Sequence, residues 1–252
     1  MNHTRLLSAV SALLLVLSSC QKESSEVLPV ESFRIKTYKE EVTDGTQTIS
    51  VTFNVSYDAN NRITGLTDAA NTGDKILYGY PSPTTNTVDI FNSGVPEVHV
   101  EYYLNSLSMI DSSFQYNDTN DSMTEKYSYN AAQQLVQMRE YDYSKATGGT
   151  LVNRTTYTYD GAGNQVGSQD MSGFVETYTY YADLVNVVPN LFSVSFPKKK
   201  TNLLKTYLLK YGPNVEVSIT YTYKFDSKDR INIATETYAD GRVVTKTYTY
   251  TN

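Results

Sequence analysis

The sequence predicts an all-β protein, and its tyrosines provide the first reason. There are 23 Tyr and 8 Phe but no Trp among 252 residues. Thr, Ser, Lys or Glu separates many tyrosines that lie two positions apart: Tyr157/Tyr159, Tyr178/Tyr180, Tyr221/Tyr223 and Tyr248/Tyr250. A period of two places the aromatic side chains on one face of a strand and the polar ones on the other. Tyr and Thr both favour strands, so the pattern predicts half-buried antiparallel strands.

Asp-Gly pairs between strand patterns are the second reason. Asp44-Gly45 separates "TYKEEV" from "TISVTF", and Asp240-Gly241 separates "ATETYA" from "RVVTKTYTYT". An Asp-Gly pair favours a two-residue hairpin turn in which both residues have positive φ. We therefore expect a hairpin at each pair.

A degenerate motif is the third reason. Four windows share an aromatic residue, Asp or Asn, two free positions, a turn residue and a polar residue: "YDANNRI", "YNAAQQL", "YDGAGNQV" and "FDSKDRI". Asp58, Asp160 and Asp226 are expected to cap turns with their side chains. The turn residues Asn61, Gly163 and Asp229 tolerate left-handed backbone, whereas Gln133 fits this position poorly.

Strands of eight to ten residues over this length give roughly 12 or more antiparallel strands. We expect a large meander that forms a curled sheet or an open barrel, with the aromatic side chains on the inner face. The opposite face is polar, so the sheet should be soluble and should not span a membrane. Residues 182–211 are expected to combine a loop, about one helical turn and a strand.

The first residues have the pattern of an export signal. Arg5 precedes a mostly apolar run from Leu6 to Leu17, which is shorter than the ~20 residues of a membrane-spanning helix. The run ends at Leu17-Ser18-Ser19-Cys20, and a polar stretch with Pro29 follows. We expect a signal peptide at 1–19, a flexible tether at 20–31 and a single β domain at 32–252.

Three resemblances extend this interpretation. The segment ending at Cys20 resembles the lipobox of bacterial lipoproteins, which implies a diacylated cysteine; the alternative is a signal with an incidental cysteine. Lys22-Glu23 resembles the export signal of surface-exposed lipoproteins in gut-dwelling Gram-negative bacteria, although a linker facing the periplasm has the same composition. The four turn windows resemble the YD repeats of RHS-type proteins. Together these features resemble a family of gut-bacterial lipoproteins with a porin-like domain of unknown function.

Few residues are available for chemistry. Cys20 is the only cysteine, and His3 would be removed with the signal, which leaves His99. No catalytic, cofactor or metal site is therefore predicted, and a strand-surface or satisfied interior position is favoured for His99 over a Ser-His-Asp triad. "DGAGN" lacks the spacing of a phosphate loop. Asp118, Asn120 and Asp121 leave calcium as an alternative to a plain loop. "DSM" resembles a bacterial O-glycosylation sequon, which makes Ser122 a candidate acceptor.

The sequence thus predicts a monomeric, lipid-anchored lipoprotein of the outer membrane, exposed at the cell surface or facing the periplasm. A net charge of −6 argues against nucleic acid as a partner. A non-enzymatic module that binds glycan, peptide or an envelope protein is the leading hypothesis. One alternative is a glycan hydrolase that uses two carboxylates, and another is an envelope structural or assembly factor.

Overall fold

The computed structural model describes residues 34–117, 122–142, 149–186 and 202–251. Sixteen strands follow one another in the chain: β1 (Ile35–Thr43), β2 (Thr48–Tyr57), β3 (Ile63–Asp68), β4 (Lys75–Ser82), β5 (Thr85–Asn92), β6 (Val95–Leu104), β7 (Ile110–Asn117), β8 (Ser122–Tyr129), β9 (Leu135–Asp142), β10 (Thr150–Tyr159), β11 (Gln165–Gln169), β12 (Phe174–Val185), β13 (Asn202–Tyr211), β14 (Asn214–Phe225), β15 (Ile231–Tyr238) and β16 (Val243–Tyr250). Across these ranges, no helix is long and apolar enough to cross a membrane.

The sheet is a closed antiparallel barrel, so the expectation of a curled sheet or open barrel is wrong. Each strand pairs with its neighbours in the chain, and β1 pairs with β16. In this seam Tyr38 lies opposite Tyr248, and the hydroxyls of Thr37 and Thr249 are 2.6 Å apart. Closure leaves no unpaired edge, which is the physical advantage of a barrel over an open sheet. The all-β class and the antiparallel meander are confirmed.

The strand register separates an interior from an exterior face, because directly opposed residues of antiparallel strands lie on the same side. Tyr38 is opposite Phe53, Tyr78 is opposite Val88, and Val88 is opposite Val100. Four of these residues are buried, and Phe53 packs against their cluster together with Tyr248 and Tyr250. The positions on either side of each of these residues along its strand are not buried, and all but Leu77 and Gly79 are polar. The tyrosine-rich face is therefore the interior face of the barrel.

The two ends of the barrel differ. β1 begins and β16 ends at the same end of the barrel, which we call the proximal end. At this end the Thr251 amide donates a hydrogen bond to the Arg34 carbonyl at 2.9 Å. The distal end holds the odd-to-even connections, including the turn at Asp44-Gly45. Gly45 and Gly241 have φ near +90°, but neither Asp44 nor Asp240 has positive φ. Both predicted hairpins form, but with longer turns in which the aspartate side chain accepts backbone amides.

The four motif windows all form turns at the proximal end. In each, the Asp or Asn accepts hydrogen bonds from backbone amides through its side chain, as in Ala162 N and Asn164 N to Asp160 Oδ1 at 2.9 and 2.8 Å. The turn residue has positive φ in every copy, including Gln133 at 60°, which was expected to fit poorly. Asn105 and Ser108 form a fifth copy between β6 and β7 that the sequence analysis missed.

The region expected to be mixed contains two long strands in its described parts. β12 continues to Val185, and β13 starts at Asn202. Helical spacing of Leu203, Leu204 and Leu208 was misleading, because all three lie in β13, which pairs with both β12 and β14. The expected helical turn is therefore wrong at these residues, and the expected loop falls in 187–201, which lie outside the described residues.

Candidate functional site

The interior face carries several carboxylates that point away from bulk solvent, and most are hydrogen-bonded by tyrosine. Glu176 on β12 accepts from the Tyr178 hydroxyl at 2.7 Å and from the Tyr207 hydroxyl at 2.9 Å, and it also contacts Ser168. Burial and the hydrogen bond to Glu176 raise the pKa of Tyr207 to about 12. The phenol therefore stays protonated and serves as a donor.

The same arrangement recurs on β7 and β8. The Ser113 hydroxyl donates to Glu125 at 2.8 Å, and Tyr127 donates to the same carboxylate. Burial, the charge of Glu125 and this hydrogen bond raise the pKa of Tyr127. In both cases a Ser on an odd strand and a Tyr two residues after the Glu act as donors. On β15, Glu236 instead forms an ion pair with Lys246.

One pair of interior carboxylates faces each other. Glu125 on β8 is the register partner of Glu140 on β9. Directly opposed side chains have Cβ atoms about 4.5–5.5 Å apart. Tyr157 lies close to this pair, and burial together with the charges of Glu176, Glu125 and Glu140 raises its pKa to about 12. Sequence reasoning found no such pair, because the register decides which of many acidic residues meet.

The exterior face has one sector that departs from its polar pattern. Aromatic side chains emerge there on β6 and β7, and we call the aromatic patch the group of Asp89, His99, Glu101, Tyr103, Phe114 and Tyr116. Asp89, His99 and Tyr116 form one row across β5, β6 and β7, while Glu101 and Phe114 are opposed in the next row. Tyr103 is 41% exposed and Tyr116 is 47% exposed. Neither tyrosine contributes a buried ring to the barrel interior.

Contacts inside the aromatic patch fix the orientation of its rings. His99 Nδ1 is 2.6 Å from Asp89 Oδ1, and His99 Nε2 is 3.7 Å from Glu101 Oε1. The Tyr116 ring lies 5.7 Å from the His99 ring and 4.4 Å from Phe114 in an edge-on contact. Tyr103 donates to Glu101, and this hydrogen bond raises the pKa of Tyr103 to about 12.

The strand-surface position expected for His99 is confirmed, and a nucleophilic triad is not formed with the serine in its row. Ser122 is the register partner of Tyr116, which lies between it and His99. Two strand spacings, about 10 Å in total, therefore separate Ser122 from His99. Ser122 begins β8 on the exterior, and its modification stays a prediction.

A second apolar surface lies at the distal end. Its side chains are more than a third exposed and come from consecutive strands: Leu151 and Val152 of β10, Met171 of the β11–β12 turn, Phe174 and Val175 of β12, Tyr211 of β13 and Val215 of β14. The centroids of the Phe174 and Tyr211 rings are 4.8 Å apart in a tilted contact. We call this group the distal rim.

Two kinds of predicted site lie outside the described residues. These are the lipidation site Cys20 and the calcium candidates at 118–121. In the described ranges, no group of three or more His, Cys, Asp or Glu side chains is placed to hold a metal ion.

Comparison with known proteins identifies the fold. The chain is similar to the crystal structure of a porin-like protein from Bacteroides uniformis, with a TM-score of 0.62 and 16% identity over 86% of this chain and 98% of that one. A porin-like protein from Bacteroides vulgatus gives a TM-score of 0.49 at 11% identity, covering 84% of this chain and 97% of that one. No protein-family profile and no curated protein matches the sequence.

The barrel therefore has a porin-like β fold, as the sequence resemblance implied. This conclusion concerns the fold alone, because both structural relatives are distant in sequence. The family resemblance to lipoproteins and to YD repeats stays a prediction.

Proposed function

We propose that the protein is a non-enzymatic binding module of the outer membrane, attached by a lipid on Cys20. The observation that carries the binding function is the aromatic patch, where tyrosines are exposed on an otherwise polar wall. Exposed aromatic rings add nothing to core burial, and aromatic residues are enriched where proteins bind partners.

The arrangement of the interior carboxylates argues against catalysis there. Glu176 accepts hydrogen bonds from two tyrosines and contacts a serine, and Glu236 is paired with Lys246. A catalytic acid or base needs a free position for the substrate proton. These carboxylates instead act as acceptors that hold tyrosines against the wall.

The polar exterior supports attachment through a lipid rather than through the strands. Outward positions on β1, β12 and β16 include Thr37, Lys39, Thr177, Thr179, Thr245 and Thr247 beside Val175 and Val243, whereas a membrane-spanning barrel presents a continuous apolar band to lipid. Two acyl chains on one cysteine would give stable membrane binding.

The proposal that the protein is not an enzyme is tested by an assay for hydrolysis. Full-length protein in detergent is incubated with a panel of neutral and acidic polysaccharides and with ester substrates, and products are measured. We expect no turnover. Hydrolysis that a Glu140→Gln or Glu125→Gln substitution abolishes, in a protein that still folds, would overturn the proposal.

The anchor is tested separately in growing cells. Radiolabelled fatty acid should enter the wild-type chain and should not enter the Cys20→Ala variant. Protease added to intact cells should remove the barrel if it is displayed at the surface. Protection in intact cells, with cleavage after the outer membrane is opened, would place the barrel in the periplasm.

A second candidate function is a glycan hydrolase that uses Glu125 and Glu140. The observation in its favour is their direct opposition across β8 and β9. Retaining glycosidases hold their two carboxyl groups about 5–5.5 Å apart. Against this role, Ser113 and Tyr127 already donate to Glu125. The same two glutamine variants decide between this candidate and the binding module.

A further inference from the structure

The aromatic patch combines flat rings with hydrogen-bonding groups in a way that specifies a ligand class. Tyr116 offers a half-exposed ring whose tilt is fixed by Phe114 and His99. Asp89 and Glu101 supply acceptor oxygens within the same two rows, and His99 lies between them. We propose that the aromatic patch binds a neutral polysaccharide, with a sugar ring stacked on Tyr116. This inference rests on the proposed binding function and adds the ligand and its site.

Stacking explains why the exposed side chains are aromatic. One face of a pyranose ring presents C–H groups, and the negative face of an aromatic ring attracts the slight positive charge on their hydrogens. The edge-on contact with Phe114 at 4.4 Å keeps the Tyr116 ring from turning freely. A ring that is already held in place loses less side-chain entropy when a sugar binds.

The polar groups suit hydroxyls better than they suit an ion. A sugar hydroxyl both donates and accepts, and the patch offers carboxylate oxygens beside an imidazole. A cationic ligand is disfavoured because one oxygen of each carboxylate is engaged, Asp89 Oδ1 by His99 and Glu101 Oε2 by Tyr103. Lys75, 4.8 Å above the Phe91 ring, and Lys126 add positive charge on the two flanks.

An anionic ligand is disfavoured for the opposite reason. Asp89 and Glu101 lie on either side of His99 in the patch, and each is about one third exposed. Both would repel a uronate or a sulfate held against Tyr116. A neutral polysaccharide needs no free carboxylate pair, as a cation would, and is not repelled by Asp89 and Glu101, as an anion would be. The open position on the barrel wall also allows a long polymer to pass across β5, β6 and β7.

The chain supplies a matched control for the test. Tyr211 on the distal rim is 48% exposed and packs against Phe174, much as Tyr116 is 47% exposed and packs against Phe114. Tyr116→Ala and Tyr211→Ala therefore remove rings of similar exposure from β7 and β13, which are not neighbours in the barrel. Any general effect of losing an exposed tyrosine should appear equally in both.

Binding is measured with full-length protein in detergent by affinity electrophoresis in gels that contain amylopectin, mannan, galactomannan or xylan. Chitosan and polygalacturonate serve as charged probes. We expect the wild type to be retarded by at least one neutral polysaccharide. Tyr116→Ala should weaken that binding about 10-fold or more, and Tyr211→Ala should leave it unchanged within about twofold. Glu101→Gln should weaken it while thermal stability is retained.

Two results would overturn the inference. If a neutral polysaccharide binds and the Tyr116 and Tyr211 variants behave alike, the site is wrong although the binding function stands. If only chitosan or polygalacturonate binds, or no probe binds, the ligand class is wrong. Neither result depends on the turnover test of the proposed function, so the two proposals can fail independently.

Discussion

At the scale of single residues, the proximal turns show that the same left-handed backbone position can hold either glycine or a residue with a long side chain. Gly163 and Gln133 occupy the same place in two turns of the same geometry, with φ of 89° and 60°. For a residue other than glycine, left-handed backbone costs about 1–2 kcal/mol. The Asp or Asn at the start of each turn offsets this cost by accepting backbone amides.

Substitutions at Gly163 and Gln133 should change the free energy of unfolding in opposite directions. Gly163→Val should lower the free energy of unfolding by about 1–2 kcal/mol, because a β-branched residue is strained at positive φ. A Cβ at Gly163 would meet only Gln134 Nε2 at 3.6 Å, so steric overlap is not the cause. Gln133→Gly should raise stability by up to about 1 kcal/mol. Urea unfolding of both variants measures this, and two changes of the same sign would contradict it.

The capping aspartates also make stability depend on pH. The hydrogen bond from the Asn164 side chain, together with backbone amides, holds the pKa of Asp160 below its usual value. A lowered pKa in the folded state means that the contribution is complete above the unfolded pKa, about 3.9, and is lost as the pH falls through the folded value. Asp58 is shifted in the same direction by the Arg62 amide and side chain.

Asp160→Asn keeps an oxygen that can accept the amides, as Asn130 does naturally in the equivalent turn. We expect the melting temperature of this variant to fall less between pH 5 and pH 2 than that of the wild type. Thermal melts across this range test the expectation. A steeper fall in the variant would show that Asp160 does not carry the acid sensitivity assigned to it.

At the scale of elements, the barrel is a ring of eight hairpins, and seven have their open ends joined by a tyrosine. The hydroxyl of a tyrosine near the end of the even strand donates to a backbone carbonyl at or near the start of the preceding odd strand. The donors are Tyr57, Tyr80, Tyr129, Tyr159, Tyr180, Tyr223 and Tyr250. In the remaining hairpin, β5–β6, the second strand ends at Leu104 and not at a tyrosine. We call the seven hydrogen bonds from tyrosine hydroxyls to backbone carbonyls the tyrosine clasps.

Removing one clasp should weaken its hairpin without altering the barrel. Tyr159→Phe deletes the 2.8 Å hydrogen bond to the Leu135 carbonyl and keeps the ring. The net contribution of such a bond is about 0.5–1.5 kcal/mol, and we expect that loss in the free energy of unfolding. Tyr103→Phe, at an exposed tyrosine outside the clasps, is the control and should change stability less. Equal losses would mean that the clasps are not specific stabilising contacts.

The elements were largely predictable from the sequence, but their closure and the candidate site were not. Alternation placed Tyr157 and Tyr159 on one face because it depends only on neighbouring residues. Tyr102 and Tyr103 are consecutive, and only the register assigns the first to the interior and the second to the aromatic patch. The pairing of Tyr38 with Tyr248 joins residues at opposite ends of the sequence, and no local pattern encodes it.

At the scale of the whole molecule, the β1–β16 seam distinguishes a closed barrel from an open sheet. Thr37→Cys and Thr249→Cys, on a Cys20→Ser background, place two thiols where hydroxyls are 2.6 Å apart. We expect a disulfide to form on mild oxidation and to stabilise the barrel by about 2–4 kcal/mol. Non-reducing electrophoresis and thermal melts measure both effects. Thr37→Cys with Thr206→Cys, on distant strands, is the control; a cross-link only in the control would contradict closure.

The seam also sets the order of events when the chain is made. Of the sixteen described strands β1 is synthesised first, yet one of its two partners, β16, is synthesised last. Until then β1 exposes an edge that can pair with other chains. A topology with such distant contacts folds slowly, since the ends must find each other across nearly the whole sequence. A protein truncated within β16 would keep fifteen strands, but its barrel could not close. A translation error in β16 should therefore be as damaging as one in β1.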